Sequence, residues 1–299
     1  MSKYSNTDFA ENPFLAAKDI GALLSESSMR LFLGAGVSSG FGLPEWRMLI
    51  AKVLGKDGDR DYVKRMPSKS VQDLREEVDE IDSNDEEFRR KVHHALYSEL
   101  KENLLPQLQV SPLLLAVAAL MTGVTRGRVD SVVTYNYDDL LEQYLRMLGL
   151  SVCVRTLPTD LSTRSDIELN YVHGRIPQRE TITVSPARII LSEKSYRERR
   201  SEIDAGWSDY IVHGLYSKIG LFLGLSGDDE AIKDVLKRAQ GRITRNSEYY
   251  TGYWVLTPNS FNKNQRSILD VGMCPIPLEK DQIPQFMFAI CQSAVGLPV

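Results

Sequence analysis

Residues 31–47 read Leu-Phe-Leu-Gly-Ala-Gly-Val-Ser-Ser-Gly-Phe-Gly-Leu-Pro-Glu-Trp-Arg. The apolar run Leu31 to Leu33 predicts a short strand that passes directly into a turn carrying Gly34, Ala35, Gly36 and Ser38. Such a turn can cradle phosphate. Gly34 permits the tight bend, Gly36 lets backbone approach a pyrophosphate with no Cβ in the way, and N–H groups opening the next segment are expected to face the anion. Ser39 stands where G-x-G-x-x-G has its third glycine, and no acidic residue closes an evident second strand about 20 positions later, so the ordinary dinucleotide fingerprint is incomplete. A strand-to-helix turn with packing glycines would explain the same letters.

Working outward, a helix is expected around Phe14 to Leu24, and short apolar strands at about 30–33, 131–135, 152–156, 169–173, 219–224, 252–257 and 273–278. Most are separated by stretches of helical period. That alternation predicts an α/β fold with a Rossmann-like, doubly wound, mostly parallel sheet. Asp138-Asp139 opens an amphipathic helix that Gly149 stops, which places Asn136 at the carboxyl end of a strand, where open α/β sheets bind ligands. The charged segment Lys56 to Arg90 reads as solvated helical faces. With the apolar helix at 111–122 it makes residues 53–125 a helical insertion over the nucleotide cleft, and residues 158–215 form a second candidate lid. The expected organisation is one domain over 1–299, its Rossmann-like core formed by 1–52 and 126–299.

Gly-Ala-Gly-Val-Ser, three residues, then Gly-Leu-Pro-Glu-Trp-Arg resembles, without a gap, the opening motif of the sirtuin superfamily, G-A-G-(I/V)-S-x-x-x-G-(I/L)-P-D-F-R. Thr134-Tyr135-Asn136-Tyr137-Asp138 and Tyr171-Val172-His173-Gly174 follow in the family's order, and Leu221 to Asp228 resembles its late strand and ribose-holding loop. Protein-deacylating sirtuins carry a zinc ribbon of two C-x-x-C pairs. This chain has only Cys153, Cys274 and Cys291, too far apart for a tetrahedral thiolate site, so no metal is expected. Glu45-Trp46 in place of Asp-Phe, and T-x-N-Y-D in place of Q-N-x-D, resemble the zinc-free branch of bacterial anti-phage defence, whose members hydrolyse NAD.

The resemblance implies roles for named residues. Asn136 carries both a donor and an acceptor, suited to fixing a water and a ribose hydroxyl together, and His173 matches the catalytic histidine, an imidazole able to take a proton near neutrality. Asp138 would meet the nicotinamide carboxamide; a helix cap is its other role. Gly34, Ala35, Gly36 and Ser38 would contact phosphate and ribose. Trp46 would cover the nicotinamide pocket or serve the core, and Arg47 would steady the pyrophosphate or a lid carboxylate. Gly224, Ser226 and Asp228 belong to the adenine-ribose loop, with Asp228 also the expected N-cap of a helix from Glu230 to Arg238. His93, His94 and His213 read as structural or surface residues. Arg126, Arg128, Arg175 and Arg179 leave NAD and NADP both open.

The chain has 299 residues, 42% hydrophobic and 25% charged, with a net charge of −4. It has the make-up of an ordinary globular protein and lacks the basic excess that drives sequence-independent binding to nucleic acid or membranes. The first residues lack an apolar signal core, and Leu113 to Met121 is too short to cross a bilayer, so a cytoplasmic protein is expected. The chemistry implied is NAD glycohydrolysis to nicotinamide and ADP-ribose, with NAD as substrate. The alternatives are deacylation or ADP-ribosyl transfer, and a binding subunit without turnover. No separate sensor module is evident, so a homo-oligomer controlled by a separate activating protein or ligand is expected.

Overall fold

The computed structural model describes residues 5–83, 86–100, 104–122, 128–179, 189–202, 204–241 and 250–299. All seven strands expected from the sequence form: β1 (Ser28–Leu33), β2 (Ser131–Thr134), β3 (Val152–Arg155), β4 (Ile167–Tyr171), β5 (Lys218–Leu223), β6 (Gly252–Leu256) and β7 (Met273–Pro277). They make one parallel sheet in the order β3-β4-β2-β1-β5-β6-β7. The strands are nearly all apolar because helices cover both faces.

In chain order the helices are α1 (Asn6–Glu11), α2 (Pro13–Glu26), α3 (Trp46–Val53), α4 (Arg60–Arg65), α5 (Val71–Asp79), α6 (Glu86–Tyr97), α7 (Leu104–Gln109), α8 (Pro112–Thr122), α9 (Leu140–Met147), α10 (Glu193–Glu202), α11 (Asp204–Ser217), α12 (Glu230–Gln240), α13 (Pro258–Leu269) and α14 (Ile283–Ala294). On one face Met29, Leu31, Leu33 and Leu221 pack with residues of α2, α8, α9 and α14. On the other, Phe32, Phe222 and Trp254 pack with residues of α11, α12 and α13. Phe32 and Phe222 stack at 4.1 Å between centroids, which locks β1 against β5 beneath the site.

Segment 53–125 divides. The side chains of α3 to α6 form an apolar cluster of their own with Tyr137, Ile176, Ile189 and Leu191 from the core side. The mostly apolar α8 lies in the main core, packed on α14. The start of α10 is fastened to the end of α5: the Lys194 N–H donates to Asp79 Oδ1 at 2.7 Å, and the Ser192 hydroxyl donates to buried Asp82. Helices α3 to α6 and α10 thus form a continuous cap.

Register decides where the motifs emerge. Leu33 pairs with both Thr134 and Leu223, and Thr134 pairs with Tyr171. The residues after those positions, Gly34, Asn136, His173 and Gly224, therefore leave the sheet at one carboxyl edge. The chain moves outward from β1 on both sides, so this edge holds the topological switch point between β1 and β5, the place where doubly wound sheets take ligands.

Candidate active site

A cavity of about 450 Å³ opens between this edge and the cap, and all twelve residues singled out from the sequence line it. They include Asn136 and His173 from β2 and β4, and Ser226 and Asp228 from the loop after β5.

The glycine turn is built differently from the sequence expectation. After β1 the chain makes two 3₁₀ turns, Ala35–Val37 and Ser39–Phe41. The Gly36 N–H donates to the Gly224 carbonyl at 3.1 Å, Val37 N–H to Gly34 O at 3.0 Å and Ser38 N–H to Ala35 O at 3.1 Å. Amides expected to face an anion are therefore engaged within the fold. A Cβ on Gly36 would lie 2.8 Å from Gly224 Cα, and one on Gly34 would lie 2.6 Å from the Gly224 carbonyl oxygen. The glycines are demanded by close packing of the β1 and β5 loops, and that packing forms the cavity floor.

Above that floor runs a directed chain of side chains. Asn136 Nδ2 donates to Ser38 Oγ at 3.1 Å, Ser38 Oγ donates to Asp138 Oδ1 at 3.0 Å, and the Leu140 N–H donates to the same oxygen at 3.2 Å. Asn136 is 9% exposed, and its Oδ1 is buried with no hydrogen-bond partner in the fold. Burial pushes the Asp138 carboxyl up to about 6, with neighbouring Asp139 adding to the rise and the Leu140 and Ser38 donors opposing it. The helix-capping role expected for Asp138 is met through Leu140, the first residue of α9.

His173 follows β4, and Gly174 turns the chain at φ +90°, where a Cβ would be strained. The imidazole packs edge-on against Tyr135, 5.2 Å between centroids, and lies 6.3 Å from the Tyr137 ring. Its backbone carbonyl accepts from the Ile190 N–H at 3.0 Å, and Tyr137 Oη donates to the Ile190 carbonyl at 2.7 Å. His93 instead contacts the Gln178 carbonyl at 3.1 Å, and neither it, His94 nor His213 lines the cavity.

At the far end, Asp228 Oδ1 accepts from Asn264 Nδ2 at 3.0 Å and pairs with Lys263 at 2.9 Å. Burial opposes its ionisation, but the Lys263 and Asn264 hydrogen bonds outweigh it and hold the carboxyl below its ordinary value. Asp229, and not the expected Asp228, immediately precedes α12, and Asp228 Oδ1 is engaged by Asn264 and Lys263 of α13. Helix α12 runs from Glu230 to Gln240, past the expected end at Arg238.

The cap supplies the roof. Trp46 opens α3, and Arg47 Nη1 donates to the Met66 and Lys69 carbonyls at 2.8 and 3.0 Å, so Arg47 holds the cap backbone. Arg75, in a run read as solvent-facing, lines the cavity; it pairs with Asp229 at 3.3 Å and lies 4.1 Å over the Tyr196 ring. This ion pair ties α5 to the residue before α12 across the mouth. Lys280 pairs with Glu45 at 3.2 Å across the other rim. Neither Arg75 nor Lys280 stood out in the sequence, because each acts through a partner on a distant element.

Of the four arginines that left NAD and NADP open, Arg175 is engaged by Glu142 at 2.9 Å and Arg128 donates to the Ser27 carbonyl at 3.5 Å; neither these two nor Arg179 lines the cavity, and Arg126 lies outside the described residues. Among the described residues no group of three or more His, Cys, Asp or Glu is placed to hold a metal, and no helix is long and apolar enough to cross a membrane.

Residues 130–275 match the family model of the SIR2-like domain. That match supports a place in the sirtuin-like superfamily. The matched span contains Asn136, Asp138, His173 and the 221–228 loop, while the glycine turn precedes it. No curated protein matches the chain. SIR2-like domains are typically NAD-dependent enzymes, and the match suggests an NAD-related function.

Proposed function

We propose that this sirtuin-like chain is an NAD glycohydrolase that cleaves the nicotinamide–ribose bond to nicotinamide and ADP-ribose, and that it serves bacterial anti-phage defence by depleting NAD. The observation that carries the reading is the unpartnered Asn136 Oδ1, buried at a strand end in a residue that lines the same cavity as His173.

Breaking the bond expels neutral nicotinamide and leaves an oxocarbenium-like ribose, so the site must orient the ring and hold water near the anomeric carbon. Asn136 Oδ1 accepts from that water or a ribose hydroxyl. The Nδ2 contact to Ser38 fixes the amide, so the acceptor costs no reorganisation when the bond breaks. His173 takes the proton of the water or hydroxyl. The Asp138 carboxylate accepts from the nicotinamide carboxamide, Trp46 covers that pocket, and the loop of Gly224, Ser226 and Asp228 takes the adenine ribose. No step asks for a metal.

In the reading put forward, the protein is a cytoplasmic homo-oligomer switched by a partner protein or ligand that moves the cap. The Arg75–Asp229 pair across the mouth supports gating, since releasing it removes the ion pair that joins α5 to the residue before α12. Purified protein incubated with NAD alone tests the chemistry. Equimolar nicotinamide and ADP-ribose support hydrolysis; nicotinamide with the ribosyl group on a protein or acyl acceptor means transfer; tight binding without loss of NAD means a binding subunit. Light scattering with the same assay tests control, and a monodisperse monomer with full constitutive turnover would refute gating.

A further inference from the structure

The segment after His173 is fastened from three sides. Arg175 Nε donates to Glu142 Oε2 at 2.9 Å, and its Nη2 lies 3.7 Å from Asp139 Oδ2. The Gln178 N–H donates to Asp139 Oδ1 at 2.9 Å, and the Ile176 N–H donates to the Tyr137 carbonyl at 2.7 Å. From the cap, Tyr97 Oη donates to the Ile176 carbonyl at 2.7 Å, and Arg89 Nη2 donates to the Arg175 carbonyl at 3.3 Å. Asp139 and Glu142 stand at the start of α9, beside Asp138, so the histidine loop and the Asp138 carboxyl are referenced to the same turn.

The charges there are not balanced by number. Asp138, Asp139 and Glu142 are all buried at one helix start. Against them stand Arg175 from the loop after β4, Tyr171 from β4, Tyr97 from α6, and Arg146 from α9 itself, which pairs with Glu142 at 3.1 Å; Arg89 and His93 of α6 engage the carbonyls of Arg175 and Gln178, and the His173 ring packs on Tyr135. The Arg146 side chain is half exposed, so its charge is screened, whereas that of Arg175 is 18% exposed. Burial disfavours the Arg175 cation, but Glu142, Tyr171 and Asp139 outweigh that and hold it charged.

Resting on the NAD-cleavage reading, we infer that Arg175 is a positioning residue for the reaction: it pins the His173 loop to the start of α9 and offsets the acidic charge behind Asp138. It does so without touching substrate. The planar fork matters as well as the charge, because one guanidinium reaches two carboxylates.

The test uses the full chain as Arg175→Gln, Arg175→Lys and Glu142→Gln, each with and without Asp138→Asn. The midpoint of the Asp138 contribution to melting temperature against pH is read beside nicotinamide release. Removing the cation leaves Asp139 and Glu142 uncompensated, so Arg175→Gln moves the Asp138 midpoint and the acid limb of kcat/KM to higher pH. Glu142→Gln removes an anion and moves both to lower pH. Arg175→Lys keeps the limb in place but loses the fork, and kcat falls roughly 10²-fold, the scale of an approximately 1 Å misplacement, with KM little changed. Shifts in the same direction for the two neutralising variants, no shift in either, or an Arg175→Lys enzyme with wild-type kcat would overturn the inference. The melting titration stands without turnover, so failure of the hydrolase reading registers separately as wild-type protein that releases no nicotinamide.

Discussion

Asn136 Nδ2 lies 3.1 Å from Ser38 Oγ, and that contact joins the end of β2 to the turn after β1. The polarity of the chain fixes which way the amide points. The Asp138 carboxylate can only accept, so the Ser38 hydroxyl must give its proton to it and present lone pairs to Asn136. Asn136 therefore offers its nitrogen to Ser38 and leaves its oxygen without a partner in the fold. A weak helix-start signal and a serine in a glycine-rich turn become one device.

Ser38→Ala breaks that device in the middle. Asn136 Nδ2 loses its acceptor and Asp138 loses a donor, so the variant is expected to lose about 1–3 kcal/mol of stability. Its acid limb of activity should also move to higher pH, because hydrogen bonding to the carboxylate favours ionisation. Thermal denaturation and a pH profile read both effects, and an unmoved limb would disconnect Ser38 from Asp138.

Asn136→Ala removes the free acceptor without opening the hydrophobic core. A fall in kcat of roughly 10² to 10³ is expected, the scale seen when one positioned polar group is lost from a reaction site. Affinity for ADP-ribose by calorimetry and melting temperature should stay close to wild type. Loss of activity in step with loss of folding would remove the assigned role.

Asp138 gives stability and activity opposite responses to acid. Its folded value of about 6 stands above the ordinary 3.8, so folding disfavours the carboxylate. The native state gains stability as pH falls through about 6 towards 3.8; roughly two units at 1.36 kcal/mol each amount to about 3 kcal/mol. Over the same window the enzyme loses its carboxylate acceptor and turnover declines. Asp138→Asn should flatten both responses, as melting curves and initial rates over pH would read. A turnover limb that survives the substitution belongs to another group.

Gly36 and Gly40 separate packing from flexibility within one turn. A side chain at Gly36 meets the backbone of Gly224, whereas nothing lies within 4 Å of a Cβ at Gly40. Gly36→Val is expected to lose ADP-ribose binding and about 1–3 kcal/mol, the usual range for overpacking. Gly40→Ala should keep both. Equal tolerance at the two positions would show that the β1 and β5 loops do not need their close approach.

The sheet was legible because its strands are short apolar runs with local punctuation. The glycine turn, Asn136, Asp138 and His173 were legible because each sits at a strand end, and register alone brings such ends together. What escaped depends on long-range pairing. The Gly36 N–H is taken by the Gly224 carbonyl only because β5 lies beside β1, and no local feature of residues 31–47 carries that. Arg75 looks like one charge in a solvated run until the fold brings Asp229 to it, 154 positions away. Arg175 looks like a possible phosphate reader until α9 presents two carboxylates. The apolar α8 was read into the cap because insertions are judged by sequence continuity, while burial places it on the sheet.

The most direct measurement is proton NMR of NAD incubated with the purified chain, with Arg75→Ala to release the tie across the cavity mouth, and with Asn136→Ala in the same Arg75→Ala background. Free nicotinamide and ADP-ribose are expected in equal amounts from the wild type, with faster release from Arg75→Ala and none above background once Asn136 is removed. NAD left intact by both wild type and Arg75→Ala, or consumed as fast without Asn136, would contradict that expectation.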